Sequence, residues 1–394
     1  MSPQIALRRH GPRSRGPGAL VPSGASMTAI SPRTTSLYPQ HLAAGAKLGD
    51  FAGWQMPLDY GSPRAEHLAV REAVGMFDVS HMGQIEVSGP GARELLVWAL
   101  TNRLAAIGPG QGQYTLMLDD DGGVIDDLIV YALIDRYLLV VNAANRDACW
   151  ARIQECATGR DVTVADRSDE IAMIAVQGPL WERALGPLVG SPAPLGLEYF
   201  EVTEDMVATV PAFVARTGYT GEPGVEIMCP WELAPRIWDA LLGGSTPAVP
   251  AGLVARDTLR TEMGYPLYGN ELSRDRGPIP AGLRWACDVD GLAFAGSESV
   301  RYDLEHPPAE RLVGVVFDDP GIPRLGQGVL IDGSPVGVVT SGTLSPILEC
   351  GIGMAYVAAD VAAPETPIVV DVRGRPRRAH VARRPLVARS PRTD

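Results

Sequence analysis

A predicted β-hairpin between residues 114 and 133 constrains the fold of this chain more than any other feature. The first strand is expected over residues 114–118, and the turn is the run Asp-Asp-Asp-Gly-Gly at 119–123. The second strand, residues 124–133, carries apolar side chains on both faces, as a strand between two covering layers does. A further strand over residues 137–142 completes a meander. The hairpin therefore favours a layered core over an isolated surface sheet.

Two neighbouring carboxylates lie within the second strand of that hairpin. Period-two alternation places Asp126 on the same face as Leu128 and Val130, and Asp127 on the opposite face with Ile129. If both faces are covered, at least one carboxylate is buried, and it must accept hydrogen bonds or have a raised pKa. Such groups are common in functional sites. The alternative is a structural aspartate that accepts from backbone N–H groups near the hairpin.

The rest of the chain alternates short strands and helices, and its character changes near residue 311. Two similar strand-turn-helix units surround the Gly-Pro pairs at 89–90 and 178–179, which suggests two related lobes. From residue 311 onward, short strands are separated by Gly, Pro and Asp, as in a small β-barrel. We expect a disordered leader at 1–36, an α+β catalytic region of two intertwined domains at 37–300, a linker around 301–310, and a C-terminal barrel domain at 311–389.

Composition excludes several chemistries. Of the 34 basic residues only Lys47 is a lysine, and Leu48 follows it, so the chain lacks a Walker A loop and a good candidate for a PLP Schiff base. The six histidines never fall four residues apart and the five cysteines form no C-x-x-C pair, which argues against a metal site. Scattered cysteines favour a reducing compartment. A net charge of -12 and the absence of a long apolar run predict neither nucleic-acid binding nor a membrane span.

The first 36 residues differ from the remainder. They contain arginine but no Asp or Glu, and they are rich in Ser, Gly and Pro. We interpret them as an unstructured leader of a bacterial cytoplasmic protein, with Met27 as an alternative start. A transit peptide, which would place the protein in the mitochondrial matrix, is the other interpretation, although the Gly and Pro residues disfavour an amphipathic helix.

Three more segments carry candidate residues. The glycine-rich run Thr-Gly-Tyr-Thr-Gly at 217–221 leads to Glu226 in an apolar strand, which is either a ligand loop or a hairpin with an edge carboxylate. A helix over 255–264 places Arg256 and Arg260 on one face, where they can grip carboxylates of a ligand or of the core. His81 follows a serine, but without a nucleophile elbow a structural histidine at a strand end is favoured.

The residues of these motifs and their order along the chain resemble those of the aminomethyltransferase (T-protein) family of the glycine cleavage system. Seven segments in the family's order carry the resemblance, which extends over residues 36–389. They are Phe51-Ala-Gly-Trp-Gln-Met-Pro-Leu-Asp-Tyr-Gly61, Gly75-Met-Phe-Asp-Val-Ser-His-Met82, Gly122-Gly-Val-Ile-Asp-Asp-Leu-Ile-Val-Tyr131, Thr217-Gly-Tyr-Thr-Gly221, Gly252-Leu-Val-Ala-Arg-Asp-Thr-Leu-Arg260, Leu267-Tyr-Gly-Asn-Glu271 and Thr340-Ser-Gly-Thr-Leu-Ser-Pro346.

The resemblance implies an α+β fold of three domains arranged as a cloverleaf around a central folate-binding channel, the third being barrel-like. The implied reaction moves the aminomethyl carbon from the lipoyl arm of H-protein to tetrahydrofolate. Its products are 5,10-methylenetetrahydrofolate, ammonia and the reduced lipoyl arm. Tetrahydrofolate is the co-substrate, with no metal, PLP or flavin. The partner is lipoylated H-protein, and the P- and L-proteins take part indirectly.

The resemblance also implies roles for individual residues. Asp126 matches the family's key aspartate, which hydrogen-bonds the pterin, and its charge would stabilise an iminium-like carbon. Asp126→Asn should then preserve the fold and lower turnover sharply. Arg389 matches an arginine near the glutamate tail of folate. The positions that match the lining of the folate pocket are Tyr114, Asn142, Tyr219, Glu226 and Arg256.

Two alternatives on the same scaffold remain open. One is a folate-dependent demethylase, and the other is a non-catalytic folate-binding factor for iron–sulfur cluster assembly. The segment Gly264-Tyr-Pro-Leu-Tyr-Gly-Asn-Glu271 lacks the Lys and Cys of the assembly branch. Flavin-linked relatives add an N-terminal dinucleotide-binding domain, for which the leader is too short. Residues 273–278 are more basic than the acidic stretch usual in the family.

Overall fold

The computed structural model describes residues 32–388 of the chain. Most of the predicted leader (residues 1–31), Arg389 and the remaining C-terminal residues lie outside this range. The described structure begins inside the predicted leader, because Arg33 and Thr34 pair with Trp54 and Gln55 as a short parallel strand. No helix within residues 32–388 has the length and apolar character needed to span a membrane.

Twenty strands and eight α-helices form the described part of the chain. The strands are β1 Arg33–Thr34, β2 Lys47–Phe51, β3 Trp54–Asp59, β4 Gly75–Asp78, β5 Gly83–Ser88, β6 Gln111–Leu118, β7 Val124–Ala132, β8 Arg136–Val141, β9 Thr163–Asp166, β10 Ile171–Gln177, β11 Val202–Val207, β12 Val210–Ala215, β13 Gly224–Pro230, β14 Val249–Pro250, β15 Glu310–Phe317, β16 Gly328–Ile331, β17 Ser334–Leu344, β18 Gly351–Ala358, β19 Pro367–Val372 and β20 Arg375–Ala382. The helices are α1 Tyr38–Ala43, α2 Pro63–Glu72, α3 Ala92–Ala99, α4 Arg146–Ala157, α5 Trp181–Leu185, α6 Ala234–Leu242, α7 Leu253–Glu262 and α8 Ser297–Glu305.

These strands form three open sheets and one closed barrel. A three-stranded sheet has the order β1-β3-β2, a five-stranded sheet has the order β6-β7-β8-β5-β9, and a six-stranded sheet has the order β11-β12-β13-β10-β4-β14. The six C-terminal strands close into a barrel in the order β15-β18-β17-β16-β19-β20. The predicted α+β class with a C-terminal barrel is therefore confirmed. The two predicted strand-turn-helix units, β5-α3 and β10-α5, belong to different sheets.

Both faces of β7 are covered, as the apolar pattern predicted. Leu128 and Val130 pack with residues of α3 and α4, such as Leu96 and Ile153, in one core cluster. Tyr131, on the other face, belongs to a second cluster that includes Leu259 of α7. The meander β6-β7-β8 thus lies between two layers, and side chains of β7 reach both.

Helix α7 connects that second cluster to the barrel. Ala255 and Leu259 pack against the sheets, whereas Thr258 shares a 3.0 Å hydrogen bond with Thr343 of β17. Helix α8 occupies much of the predicted linker, so the extended connection between helix and barrel is shorter than expected. It runs from His306 to Ala309, and Pro307 and Pro308 prevent the helix from continuing.

Candidate active site

Asp126 faces helix α4 and is fully enclosed, with 0% of its surface exposed. One carboxylate oxygen, Oδ1, accepts hydrogen bonds from Asn142 Nδ2 at 2.8 Å and Asn145 Nδ2 at 2.6 Å. The other oxygen, Oδ2, accepts from the Asn142 backbone N–H at 2.8 Å and the Cys149 thiol at 3.5 Å. Burial, reinforced by the charge of Asp127, raises the pKa of Asp126. Its hydrogen-bonding capacity is used within the protein.

Asp127 is on the opposite face of β7 and is half-buried. The Tyr114 hydroxyl donates to its Oδ2 at 3.0 Å, and Asn142 Nδ2 donates to its Oδ1 at 3.0 Å. Burial raises the pKa of Asp127, with a smaller contribution from the charge of Glu271, whereas the hydrogen bonds from Tyr114, from Asn142 and from the backbone of Asp127 itself oppose the rise. The carboxylate has about four lone-pair sites, so it retains capacity to accept from a ligand.

Tyr114 connects this carboxylate to an aromatic pair near the protein surface. Its ring stacks on Trp285, with centroids 5.2 Å apart and planes inclined by 28°. Trp285 is 62% exposed. An exposed tryptophan beside a half-buried tyrosine provides a flat apolar surface at the edge of the site, of the kind that binds planar ligands.

Arg256, in the second turn of α7, forms the centre of a second group. Its guanidinium carbon lies 4.8 Å from the centroid of the Tyr219 ring. Its Nη1 is buried, and no hydrogen-bond acceptor among the described residues lies within reach of it. Burial lowers the pKa of Arg256, and the negative charge of Glu226 opposes that effect. A buried guanidinium nitrogen without an acceptor is satisfied when a ligand provides one.

Glu226 belongs to β13 and shares the electrostatic environment of Arg256. Its Oε2 accepts from Thr217 Oγ1 at 2.6 Å, and that hydroxyl is 2.9 Å from the hydroxyl of Tyr131. Burial raises the pKa of Glu226, whereas the hydrogen bond from Thr217 and the charge of Arg256 oppose the rise. The strand thus supplies a buried carboxylate near a cation that has an unused donor.

Tyr219 lies in the glycine-rich loop between β12 and β13. Its hydroxyl donates to the carbonyl of Pro266, and its ring stacks on Tyr265 with centroids 5.8 Å apart. Arg71 of α2 supports the same loop, because its Nη1 donates to the Thr220 carbonyl at 2.8 Å and to Glu222 Oε1 at 2.7 Å. The glycine-rich loop, which the sequence predicted, therefore holds the ring of Tyr219 against α7.

The structure brings most of the sequence-predicted residues into two groups. Tyr114, Asp126 and Asn142 belong to one group, and Tyr219, Glu226 and Arg256 to the other. Burial raises the pKa of both Tyr114 and Tyr219, and the charge of Asp127 adds to the rise in each, so Asp127 influences a residue of both groups. Arg389 lies outside the described residues.

The sequence analysis named Asp127 only as the neighbour of Asp126, and it did not name Trp285 or Tyr265, whose rings stack on Tyr114 and Tyr219. Strand alternation predicts that Asp127 lies on the face of the strand opposite to Asp126. That pattern identifies Asp127 as a site residue only when the layers that cover the two faces are known. Trp285 and Tyr265 lie in irregular segments without periodicity, and we find no local signal that could have identified them. Within the described residues, no group of three or more His, Cys, Asp and Glu side chains is arranged to hold a metal ion.

Two family models together match nearly all of the described chain. The GCVT N-terminal domain matches residues 37–291, and the Glycine cleavage T-protein C-terminal barrel domain matches residues 310–387. The chain belongs to the glycine cleavage T-protein family. The predicted function, an aminomethyltransferase of the glycine cleavage system, is confirmed, and this family uses tetrahydrofolate as its co-substrate.

Individual T-protein relatives agree with the family models. The chain is 46% identical to the aminomethyltransferase of Streptomyces avermitilis over 88% of this chain and 95% of that relative. It is 45% identical to the aminomethyltransferase of Frankia alni, over 91% of this chain and 99% of that relative. The crystal structure of glycine cleavage system aminomethyltransferase T from Bartonella henselae has a TM-score of 0.86 and 35% identity, covering 91% of this chain and 98% of that one.

Proposed function

We propose that tetrahydrofolate binds between the Tyr114–Asp127–Asn142 group and the Tyr219–Glu226–Arg256 group. One observation carries the proposal: Nη1 of Arg256 is buried without an acceptor among the described residues. Leaving such a donor unsatisfied costs about 1–3 kcal/mol, and more for a charged group. A ligand carbonyl or ring nitrogen would remove that cost.

The chemistry of the two groups fits a pterin. This heterocycle is planar and carries both N–H donors and acceptors along its edges. Asp127 and Glu226 are acceptors for N–H groups, and Arg256 is a donor. Tyr114 and Tyr219 provide aromatic surface on the two groups. These acceptors, this donor and these aromatic rings are therefore complementary to a planar ligand that has both donors and acceptors along its edges.

The role predicted for Asp126 is better served by its neighbour. Asp126 already accepts two hydrogen bonds at each oxygen, so a ligand N–H would have to displace an internal donor. Asp127 accepts one side-chain hydrogen bond at each oxygen and lies on the half-buried face. We therefore propose that Asp127 contacts the folate. Asp126 acts as a positioning residue, because it holds Asn142, which in turn donates to Asp127.

The chain's own contribution is placement and charge. Tetrahydrofolate supplies the nitrogen atoms that accept the transferred carbon. Ionised Asp127 accepts a hydrogen bond from a ligand N–H and keeps a negative charge where positive charge develops. Tyr114 and Asn142 fix the orientation of that carboxylate. Burial of the surrounding groups limits access of water, which strengthens these electrostatic interactions.

The biological setting is proposed on the same grounds. Lipoylated H-protein would deliver the aminomethyl group, and the P- and L-proteins would act elsewhere in the glycine cleavage system. Residues 37–300 would form the catalytic region, and residues 311–389 the barrel domain. The bacterial origin of the relatives named above favours a cytoplasmic location.

The Arg256→Met variant tests the folate site. We expect the KM for tetrahydrofolate to rise by roughly 10- to 100-fold, the effect of losing a buried charge-assisted hydrogen bond. Ammonia release from aminomethylated H-protein provides the assay. Without folate, the variant should fold but be less stable than the wild type, because buried Glu226 loses a neighbouring positive charge and Tyr219 loses a cation–π contact.

The control is Arg236→Met, at an exposed arginine of α6. It should leave both the KM and the stability unchanged. An Arg256→Met variant that binds tetrahydrofolate with wild-type affinity would place the folate elsewhere and refute the proposal.

A further inference from the structure

The C-terminal segment after β20 returns from the barrel to the edge of the proposed folate site. The backbone N–H groups of Leu386 and Val387 donate to the carbonyl of Glu262, at 2.8 and 3.2 Å. Glu262 is the last residue of α7. These contacts hold the segment at the end of the helix that carries Arg256, and they bring Arg384 to the loops beyond that helix.

The guanidinium of Arg384 joins two loops that are distant in sequence. Its Nη1 donates to the carbonyl of Gly264 at 3.2 Å, and its Nη2 donates to the carbonyl of Ala281 at 2.9 Å. Gly264 immediately precedes Tyr265, and Ala281 lies four residues before Trp285. One side chain therefore contacts both loops that supply the outer rings of the aromatic stacks.

Both loops are shaped closely around this arginine. Gly264 has a φ of +64° and Gly282 a φ of +77°, which L-residues rarely adopt. A Cβ atom at Gly264 would lie 2.7 Å from Cβ of Arg384, and one at Gly282 would lie 2.7 Å from its Nη2. A side chain at Gly264 would thus collide with the stem of Arg384, and one at Gly282 would displace its guanidinium.

We propose that Arg384 is a positioning residue for folate binding, which holds Tyr265 against Tyr219 and Trp285 against Tyr114 before the ligand arrives. The inference rests on the proposed folate site between the two groups. Arg384 acts through the loops and their rings. Hydrogen bonds from a charged guanidinium are stronger than those between neutral groups. The guanidinium of Arg384 is rigid and planar, and it donates one such bond to each loop.

The Arg384→Met and Arg384→Lys variants test this role. Methionine keeps an apolar stem but removes both hydrogen bonds, so we expect the KM for tetrahydrofolate to rise by about tenfold, with kcat within about twofold of the wild type. The near-ultraviolet circular dichroism of the stacked rings should weaken in the ligand-free protein. Lysine can still donate to one carbonyl, so Arg384→Lys should have a KM and a circular dichroism spectrum between those of Arg384→Met and the wild type.

Arg383→Met is the matched control, because Arg383 is exposed beside Arg384. It should match the wild type in both measurements. Arg384→Met with unchanged KM overturns the proposal, whether or not the dichroism changes. If only the lysine variant folds, a KM and a spectrum equal to those of Arg383→Met overturn it as well.

The result for Arg256→Met separates the two proposals. If Arg256→Met raises the KM and Arg384→Met does not, the role of Arg384 is wrong and the folate site stands. If neither variant changes the KM, the folate site itself is wrong.

Discussion

At the scale of single residues, Asp126 and Asp127 have the same side chain and different surroundings. Asp126 is enclosed by donors from Asn142, Asn145 and Cys149, whereas Asp127 keeps accepting capacity on a half-buried face. The sequence predicted their separation by alternation. It could not predict which face is enclosed, because that depends on helix α4, which packs over Asp126 from a later part of the chain.

The paired variants Asp127→Asn and Asp126→Asn separate these roles. We expect Asp127→Asn to lower kcat by roughly 10²- to 10³-fold, the usual effect of removing one electrostatic stabiliser, and Asp126→Asn to cost less. Wild-type activity should fall on acidification with a midpoint above the ordinary aspartate pKa, because burial raises the pKa of both Asp126 and Asp127 and protonation of the pair removes negative charge from the site. The midpoint should move to lower pH in Asp127→Asn, because Asp126 then has no charged carboxylate beside it.

The measurement is ammonia release as a function of pH, with circular dichroism to verify folding. Asp121→Asn, in the exposed hairpin turn, is the control and should behave as the wild type. A folded Asp126→Asn variant that loses far more activity than Asp127→Asn would return the catalytic role to Asp126.

At the scale of elements, helix α2 connects the glycine-rich loop to the end of α7. Arg71 pairs with Glu222 at 2.7 Å and with Glu262 at 2.7 Å, and its side chain is only 8% exposed. His67 Nε2 lies 3.2 Å from the same Glu262 carboxylate. Hydrogen bonds and the charges of His67 and Arg71 hold the pKa of Glu262 below its usual value despite burial. Arg71 thus joins helix α2 to the glycine-rich loop and to the end of α7.

Replacing Arg71 by methionine should destabilise the fold. The change leaves Glu222 and Glu262 buried without their main cation, and breaking a buried ion pair costs about 3–5 kcal/mol. Arg64→Met on the same helix is the control, since the Arg64–Glu349 pair is 64% and 75% exposed and should contribute about 1 kcal/mol or less. Urea denaturation measures both free energies of unfolding. Equal losses in the two variants would contradict this account of Arg71.

Sequence patterns found most elements near the site and missed two strands of the barrel. The helix expected over 255–264 is α7, Leu253–Glu262. In the barrel, the sequence predicts strands over 312–317, 328–331, 335–341 and 368–372, which correspond to β15, β16, β17 and β19. Strand β18 was missed because its two glycines and uniformly apolar residues show no alternation, and every position except the last is buried. Strand β20 was missed because its arginines resemble a surface loop, while Ala379 and Val381 pack inside the barrel.

At the scale of the whole molecule, hydroxyl groups of one motif attach the barrel to α7. Within Thr340-Ser-Gly-Thr-Leu-Ser-Pro346, Ser341 accepts from Arg260 Nη2 at 2.7 Å and Thr343 shares a 3.0 Å hydrogen bond with Thr258. Ser345 donates to Glu262 Oε1 at 2.5 Å. These contacts support the helix that carries Arg256, so the described part of the barrel contributes to the site through that helix.

The triple variant Ser341→Ala, Thr343→Val and Ser345→Ala should weaken this attachment. Each lost hydroxyl is expected to cost about 1 kcal/mol, because a buried partner loses its hydrogen bond. Calorimetry should show a lower Tm, and the KM for tetrahydrofolate should rise because α7 is less well supported. Ser334→Ala, at the exposed start of β17, is the control. Unchanged Tm and KM in the triple variant would show that the barrel is attached by other contacts.

The sequence by itself determined the family, the α+β class with its C-terminal barrel, and most of the residues in the two groups around the site. Apolar alternation and motif order are local properties of the chain, so they can be read without coordinates. Only the tertiary structure decided which aspartate retains free lone pairs, which rings stack on Tyr114 and Tyr219, and that Arg384 joins the two outer loops. Those facts depend on contacts between residues far apart in the chain, such as Tyr114 with Trp285 and Arg384 with Gly264, and no local sequence pattern predicts such contacts.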